Sequence, residues 1–257
     1  MEININCDLG EKSKLHSDHN DPELLSIVNS ANIACGYHAG DEETMNKVIQ
    51  ISKKNNVSIG AHPSFKDIEN FGRKRQNLNS SEIKKLIINQ YEILQAIASK
   101  HNEKVTHIKP HGALNNMACE DMELSITIAK TIEEIDKNLI YLVPTGSKME
   151  TAGNKYNLNI ACEIFADRNY EDDGNLVSRL KENALITDPN LAKSHVLKMV
   201  KNQSLNCLSG KQIPCKIDSI CIHGDNEASL DTARIIKNEL HDNGLTLKPL
   251  NEMKKFI

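Results

Sequence analysis

The segment Ser30-Ala31-Asn32-Ile33-Ala34-Cys35-Gly36-Tyr37-His38-Ala39-Gly40-Asp41 opens as a short apolar run and closes on glycine, histidine and aspartate. A run of this length bounded by glycine reads as a buried strand, 31–35. A pattern of helical period follows it over 42–55. The same unit recurs along the chain. Strands are predicted at 2–7, 31–35, 56–61, 105–109, 139–143, 160–165 and 217–222. Helices are predicted at 22–29, 42–55, 80–101, 121–136, 147–157, 188–203 and 227–241. The clearest helix places Ile83, Leu86, Ile87, Tyr91, Leu94 and Ile97 on one stripe, with Ser80 or Ser81 as N-cap. Asp188-Pro189 supplies a cap and first-turn proline for the next-to-last helix, and Gly244 a stop for the last.

Strand and helix therefore alternate about seven times, the order of parallel strands joined by helical crossovers. No linker, repeat or low-complexity segment divides residues 1–257, a length that single α/β barrels reach. The segments 171–187 and 203–216 lack periodicity and read as loops. The expected fold is α/β: one distorted (β/α) barrel of about seven parallel strands. An open doubly wound sheet is the second choice, and periodicity does not separate the two.

Composition removes several function classes. A net charge of −4 gives no electrostatic reason to bind nucleic acid or an anionic membrane. There is no apolar stretch of about 18 residues to span a bilayer. The start, Met1 to Asp8, lacks the basic head and apolar middle of a signal peptide, so a cytoplasmic location is expected. Seven cysteines, widely spaced and without C-x-x-C, argue against a disulfide scaffold or zinc ribbon. Cys7, Cys35, Cys162 and Cys221 sit in apolar runs and read as small buried hydrophobes.

The functional signal is positional. Nearly every strand runs into a reactive cluster: Asn6 to Glu11, Ala34 to Asp41, Gly60-Ala61-His62-Pro63, His107 to Gly112, Phe165 to Arg168 and Cys221 to Asn226. In a parallel β/α fold these ends share one face, where active sites form. Taken singly, His38, His62, His111 or His223 reads as an ordinary hydrogen-bonded loop histidine; four of them beside Asp8 read as a site. His107 lies within a strand and reads as core. His16, His19, His101, His195 and His241 fall outside the pattern and read as surface residues. Asp8, His38 and His62 could ligate a divalent metal with a position left for water. Without metal, the same groups could act as general acid and base. Lys109 and Arg168 could hold a carboxylate or an oxyanion. Gly10, Gly36, Gly40, Gly60, Gly112 and Gly224 border these ends. None of them belongs to a phosphate-binding loop or dinucleotide fingerprint, and there is no nucleophile elbow.

These clusters resemble the LamB/YcsF family, the A-subunits of 5-oxoprolinase. The matching strings are Asn6 to Glu11, Ser30 to Asp41, Ile59 to Pro63 with Phe71-Gly72-Arg73, Lys109 to Leu114, Glu163 to Arg168, Asp172 through Arg179, and Cys221 to Asn226. The resemblance implies a barrel related to the polysaccharide deacetylases and a role with two partner subunits, B and C. Together they would couple ATP cleavage, to ADP and phosphate, to the opening of 5-oxoproline to glutamate. Carried onto matching positions it implies a catalytic set of Asp8, Glu11, His38, His62, His111, Asp173 and His223, with Lys109 and Arg168 binding substrate. A metal at Asp8, His38 and His62 follows only by analogy with the deacetylases. On this reading Asp8 or His62 would hold or deprotonate water, and His38 and His111 would pass protons to the ring nitrogen. ATP would be handled with the partner subunits. Homo-oligomerisation stays open.

Three departures from the family pattern stand near these strings: Lys12-Ser13-Lys14-Leu15-His16 after Glu11, Asn115 where tyrosine is usual, and Asn70 in place of a glycine. Two other functions fit the residues. One is a stand-alone metal-dependent deacetylase or amidohydrolase. The other is a non-catalytic lactam-binding subunit.

Overall fold

The computed structural model describes residues 1–14, 17, 19–223 and 229–257. The expectations placed on His16, on Gly224, Asp225 and Asn226, and on the start of the last helix at 227 lie outside the described residues. The strands are β1 (Glu2–Leu9), β2 (Ser30–Ala34), β3 (Ser58–His62), β4 (Val105–Ile108), β5 (Ile140–Pro144), β6 (Asn159–Phe165), β7 (Ser204–Asn206), β8 (Gln212–Pro214), β9 (Ser219–His223) and β10 (Thr246–Leu247). Strands β1 to β6 pair in chain order, all parallel, and β9 pairs with both β6 and β1. That double pairing closes a seven-stranded barrel and excludes the open sheet. Strand β10 extends the start of β1, Glu2 opposite Thr246. Strands β7 and β8 form an antiparallel pair inside the segment 203–216 that reads as loop in the sequence.

Helices α1 (Asp21–Leu24), α2 (Glu42–Lys54), α3 (Ser80–Lys100), α4 (Gly112–Glu120), α5 (Met122–Ile135), α6 (Lys148–Lys155), α7 (Pro189–Asn202) and α8 (Ser229–Asp242) make up the crossovers. Their starts follow local chemistry. Asp41 accepts from the Thr44 amide at 2.8 Å, and Asp188 caps α7 ahead of its first-turn proline. Helix α3 is capped by Asn79, not by the expected Ser80 or Ser81, because Asn79 and Glu82 complete a capping box. Among the described residues no helix is long and apolar enough to cross a membrane. All seven cysteines are free thiols.

Alternation along β1 sorts its side chains between two environments. Ile3, Ile5, Cys7 and Leu9 join the apolar core under the helices. Asn4, Asn6 and Asp8 turn to the barrel centre, which is polar. Asn4 reaches Ser30, and Ser30 reaches Ser58 at 2.6 Å. The Asn6 amide donates to Ser219 and Glu163, and Asn32 donates to Asn6 and Asp8. His107 completes the layer through Asn32 Oδ1 at 3.0 Å. Gly60 makes room for that ring: a Cβ there would stand 2.1 Å from His107 Nε2. Below, Ile140, Leu142, Ala161, Leu250 and Met253 close the barrel with an apolar plug. Above, the strand ends open into a cavity.

Candidate active site

The floor of the cavity is built on Lys109, just past the end of β4. Its ammonium is buried and faces Asp8 Oδ1 at 3.0 Å, Cys221 Sγ at 3.1 Å, Glu163 Oε2 at 3.2 Å and Asn6 Oδ1 at 3.3 Å. Three N–H bonds among four acceptors leave none for a ligand. The expected grip of Lys109 on a substrate carboxylate therefore has no donor to make it. Burial opposes the charge on Asp8, but His62 and then Lys109 outweigh it and hold the carboxyl well below its ordinary range. Burial likewise opposes the charge on Lys109, and Asp8, Cys221 and Glu163 hold its pKa well above the usual value. Glu163, the second carboxylate on the same cation, is pushed up by burial despite Lys109, with Asp8 adding to the rise.

The histidines sit beside this pair. Each of two rings is anchored by a backbone carbonyl, which accepts only, so the anchoring nitrogen carries the hydrogen. For His62 it is Nδ1, at 2.7 Å from the Lys109 carbonyl; for His111 it is Nε2, at 3.0 Å from the Phe71 carbonyl. Their inner nitrogens, His62 Nε2 and His111 Nδ1, face each other at 3.0 Å. Glu11 Oε1 stands 3.2 Å from His111 Nδ1 and 3.8 Å from His62 Nε2. Three lone-pair groups converge, and such a set requires a cation between them, either a proton or a metal. His38 Nε2 lies 3.1 Å from the same Glu11 oxygen, and its buried Nδ1 has no partner among the described residues. Burial, then His111, drives the His38 pKa down to about 3, so its ring is neutral. Glu11 stays well below its usual range because His111 and His38 outweigh the burial that opposes its charge.

Glu11, His38, His62 and His111 could thus hold a divalent metal, their donor atoms all within 4.8 Å of one another. The expected trio of Asp8, His38 and His62 is divided by this geometry: Asp8 groups with Cys221 and His223 instead. Asp8 Oδ2 still bridges the two groups, 3.3 Å from His62 Nε2 and 4.0 Å from His223 Nε2.

His223 ends β9. Its Nδ1 meets Asp167 at 2.8 and 2.9 Å, so the carboxylate fixes the hydrogen on Nδ1 and leaves Nε2 toward Asp8. Asp167 stays ionised below its ordinary range because His223 outweighs the burial opposing it. The cavity above measures about 550 Å³ and is lined by Asp8, Glu11, His62, Lys109, His111 and His223. Arg168 and Asp173 also line it. The Arg168 guanidinium is taken up by the Val177 carbonyl at 2.7 Å and the Ala184 carbonyl at 3.4 Å, which ties the 171–187 loop to the barrel. Asp173 is exposed and accepts from Asn175 at 2.9 and 3.0 Å. His38 lies behind Glu11 and does not line the cavity.

Residues 3–255 match the family model described as LamB/YcsF family. The 5-oxoprolinase A-subunit of Nitrobacter hamburgensis is 42% identical over 255 residues, 99% of this chain and 100% of that one. The chain belongs to the LamB/YcsF family. The crystal structure of the lactam utilization protein from Thermus thermophilus superposes with a TM-score of 0.89 at 31% identity, over 96% of this chain and 99% of that one. A T48 deacetylase with substrate gives a TM-score of 0.52 at 12% identity, over 99% of this chain and 89% of that one, a likeness of fold alone. The expected deacetylase-like barrel is therefore the fold of this LamB/YcsF chain. Within the matched strings, sequence reading passed over Asp167, Glu163, Asn6 and Asn32. The alternation Asn4, Asn6, Asp8 was the available signal for a polar barrel centre.

Proposed function

We propose that this chain is the hydrolytic subunit of a 5-oxoprolinase. It receives 5-oxoproline, activated at the expense of ATP by partner subunits B and C, and opens the ring to glutamate. Relatives at 42% identity carry the name of the A-subunit, and that letter implies companions. One observation carries the reading: an ionised Asp8, locked by Lys109, faces His62 and His223 on the floor of a cavity. The chain has no phosphate-binding loop of its own.

A five-membered lactam resists water because its amide is resonance-stabilised, so phosphorylation of the amide oxygen by the partners supplies the activation. One water then adds to the ring carbonyl carbon and the carbon–nitrogen bond breaks, which frees the amine and leaves an acyl phosphate. A second water hydrolyses that to the carboxylate and inorganic phosphate. Asp8 is too weak a base to take the water proton, since its neighbours stabilise the charge. It orients the water by accepting a hydrogen bond. His223 Nε2 takes the proton and hands it to the departing ring nitrogen, with Asp167 steadying the charged ring. This moves the proton shuttle from His38 and His111 to His223, because His38 is sealed behind Glu11 and His111 is anchored on both nitrogens. A divalent metal held by Glu11, His62 and His111 would supply polarisation of the carbonyl or of the attacking water.

The test is reconstitution with the B and C partners, following glutamate release from 5-oxoproline and ATP. Asp167→Asn is expected to lower kcat by roughly 10²-fold or more while leaving KM within a few-fold, since it removes the group that fixes the His223 tautomer. Full activity in Asp8→Asn would refute the site. Turnover by this chain and ATP alone would refute the division of labour.

A further inference from the structure

The connection between β3 and α3 holds a backbone that one of its residues does not favour. Phe71 stands at φ +55° and Gly72 at φ +64°, two consecutive left-handed positions. Glycine adopts that conformation freely, but a bulky side chain there is an outlier that its surroundings must hold in place. Asp67 holds it. Its carbonyl accepts from the Gly72 amide at 2.8 Å. Its carboxylate accepts from the Asn70 side chain at 2.8 Å and from the Asn70 amide at 3.2 Å. Nothing larger than glycine fits at position 72. A Cβ there would stand 2.1 Å from Ser64 Oγ, 2.9 Å from the His111 ring and 3.0 Å from His38 Cβ.

The carbonyls of this pair both serve one short segment. The Phe71 carbonyl accepts from His111 Nε2 at 3.0 Å, and the Gly72 carbonyl accepts from the Ala113 amide at 2.9 Å. The first fixes the ring of His111, the second the chain just after it. Three aromatic neighbours confine that ring. His38 stacks on it at 3.9 Å, nearly parallel, and Phe71 and His62 meet it edge-on at 5.2 and 4.8 Å. The Phe71 side chain is itself buried with Ala34 and Ala39. A competing arrangement lies close by. Glu11 Oε1 is 3.2 Å from the opposite nitrogen, Nδ1, and could accept a hydrogen there. With its only hydrogen on Nδ1, His111 would turn no lone pair toward Glu11 and His62.

We infer that the left-handed pair Phe71–Gly72 is the positioning element of His111. Its carbonyl keeps a hydrogen on Nε2, so that Nδ1 is left for the cation shared with Glu11 and His62. That this cation is a divalent metal rests on the function proposed above; the placing of the hydrogen does not. A carbonyl that orients a ligand histidine in this way is worth about 10–100-fold in metal affinity. The unfavourable backbone at Phe71 is thereby explained, because it aims the carbonyl while the ring of the same residue packs against the histidines.

Zinc is the probe, titrated into the full chain by calorimetry, and His62→Ala, which should abolish binding, locates it. Gly72→Ala is expected to weaken zinc by about 10–100-fold. Gly210→Ala is the control. It carries a similar backbone penalty at φ +90° with nothing within 4 Å of its Cβ, and should leave affinity roughly unchanged. A second pair covers the case in which Gly72→Ala fails to fold. Phe71→Asn and Phe71→Val both delete the ring, but only asparagine tolerates a left-handed backbone. Phe71→Asn should therefore bind zinc about tenfold more tightly than Phe71→Val. Nitrogen NMR of the metal-free chain gives a readout that a loss of stability alone would not move. The wild type and Phe71→Asn should show a slowly exchanging Nε2–H on His111, and Gly72→Ala and Phe71→Val should lose it. A bare Nε2 in the wild type would overturn the inference, as would equal zinc affinities in Phe71→Asn and Phe71→Val. A wild type that shows the anchored Nε2–H and binds no zinc would overturn the metal and keep the positioning role, with a proton as the cation.

Discussion

Lys109 shows what a single residue does here. One ammonium stands between Asp8 and Glu163, all three buried, so its removal leaves two buried carboxylates without their shared cation. Lys109→Met keeps the length of the stem and deletes the charge. It is expected to cost about 3–5 kcal/mol, the usual penalty for stranding one side of a buried ion pair. Urea unfolding at neutral pH measures it. A loss under about 1 kcal/mol would mean that something else neutralises Asp8. The sequence marked Lys109 as unusual, because it sits between an apolar run and a Pro-His-Gly turn. It could not say what the lysine was for. Asp8 and Cys221, its partners, lie 101 and 112 positions away, and only barrel closure brings them together. Asp167 was overlooked for the same reason, since His223 is 56 positions off.

At the scale of elements, strands were legible wherever an apolar run met a glycine or histidine, and the order of strand and helix carried the barrel. Closure itself was not legible, because β9 chooses both its neighbours by shape, not by sequence proximity. Helix α4 was missed altogether. It opens on a glycine directly after Pro110-His111, which reads as a turn, and has no cap to announce it. The predicted helix 22–29 shrank to Asp21–Leu24. Between β3 and β4 the fit is tight enough to test. A methyl group at Gly60 would overlap the His107 ring, at 2.1 to 2.5 Å. Gly60→Ala should therefore destabilise by about 2–3 kcal/mol, in the range of overpacked cores. Paired with His107→Ala, which empties that space, the combined loss should be smaller than the two single losses added together. Strict additivity in unfolding free energies would show that the ring is free to move aside.

The whole molecule is a barrel with a polar centre, and that centre ties its stability to pH. Burial holds His38 and His107 neutral, with pKa values driven down to about 3 from an ordinary 6.5. In the unfolded chain both rings take up protons as pH falls through 6.5; in the folded chain they resist until about 3. Between those values the unfolded state binds more protons, so folding loses stability on acidification. Two histidines together should remove about 3 kcal/mol between about pH 6.5 and pH 5. Asp8 and Glu11 act in the same direction but later. Their folded pKa values lie below ordinary ones of 3.8 and 4.5, so their contribution is intact above that range and is lost only beneath it. The window from about pH 6.5 to pH 5 thus belongs to the histidines. Denaturant unfolding across it should show a steady fall in midpoint, and His107→Gln, which cannot be protonated, should halve the slope. A midpoint that stayed level down to about pH 4.5 and then dropped would assign acid sensitivity to the carboxylates alone, and would mean that these two rings are not held neutral by the fold.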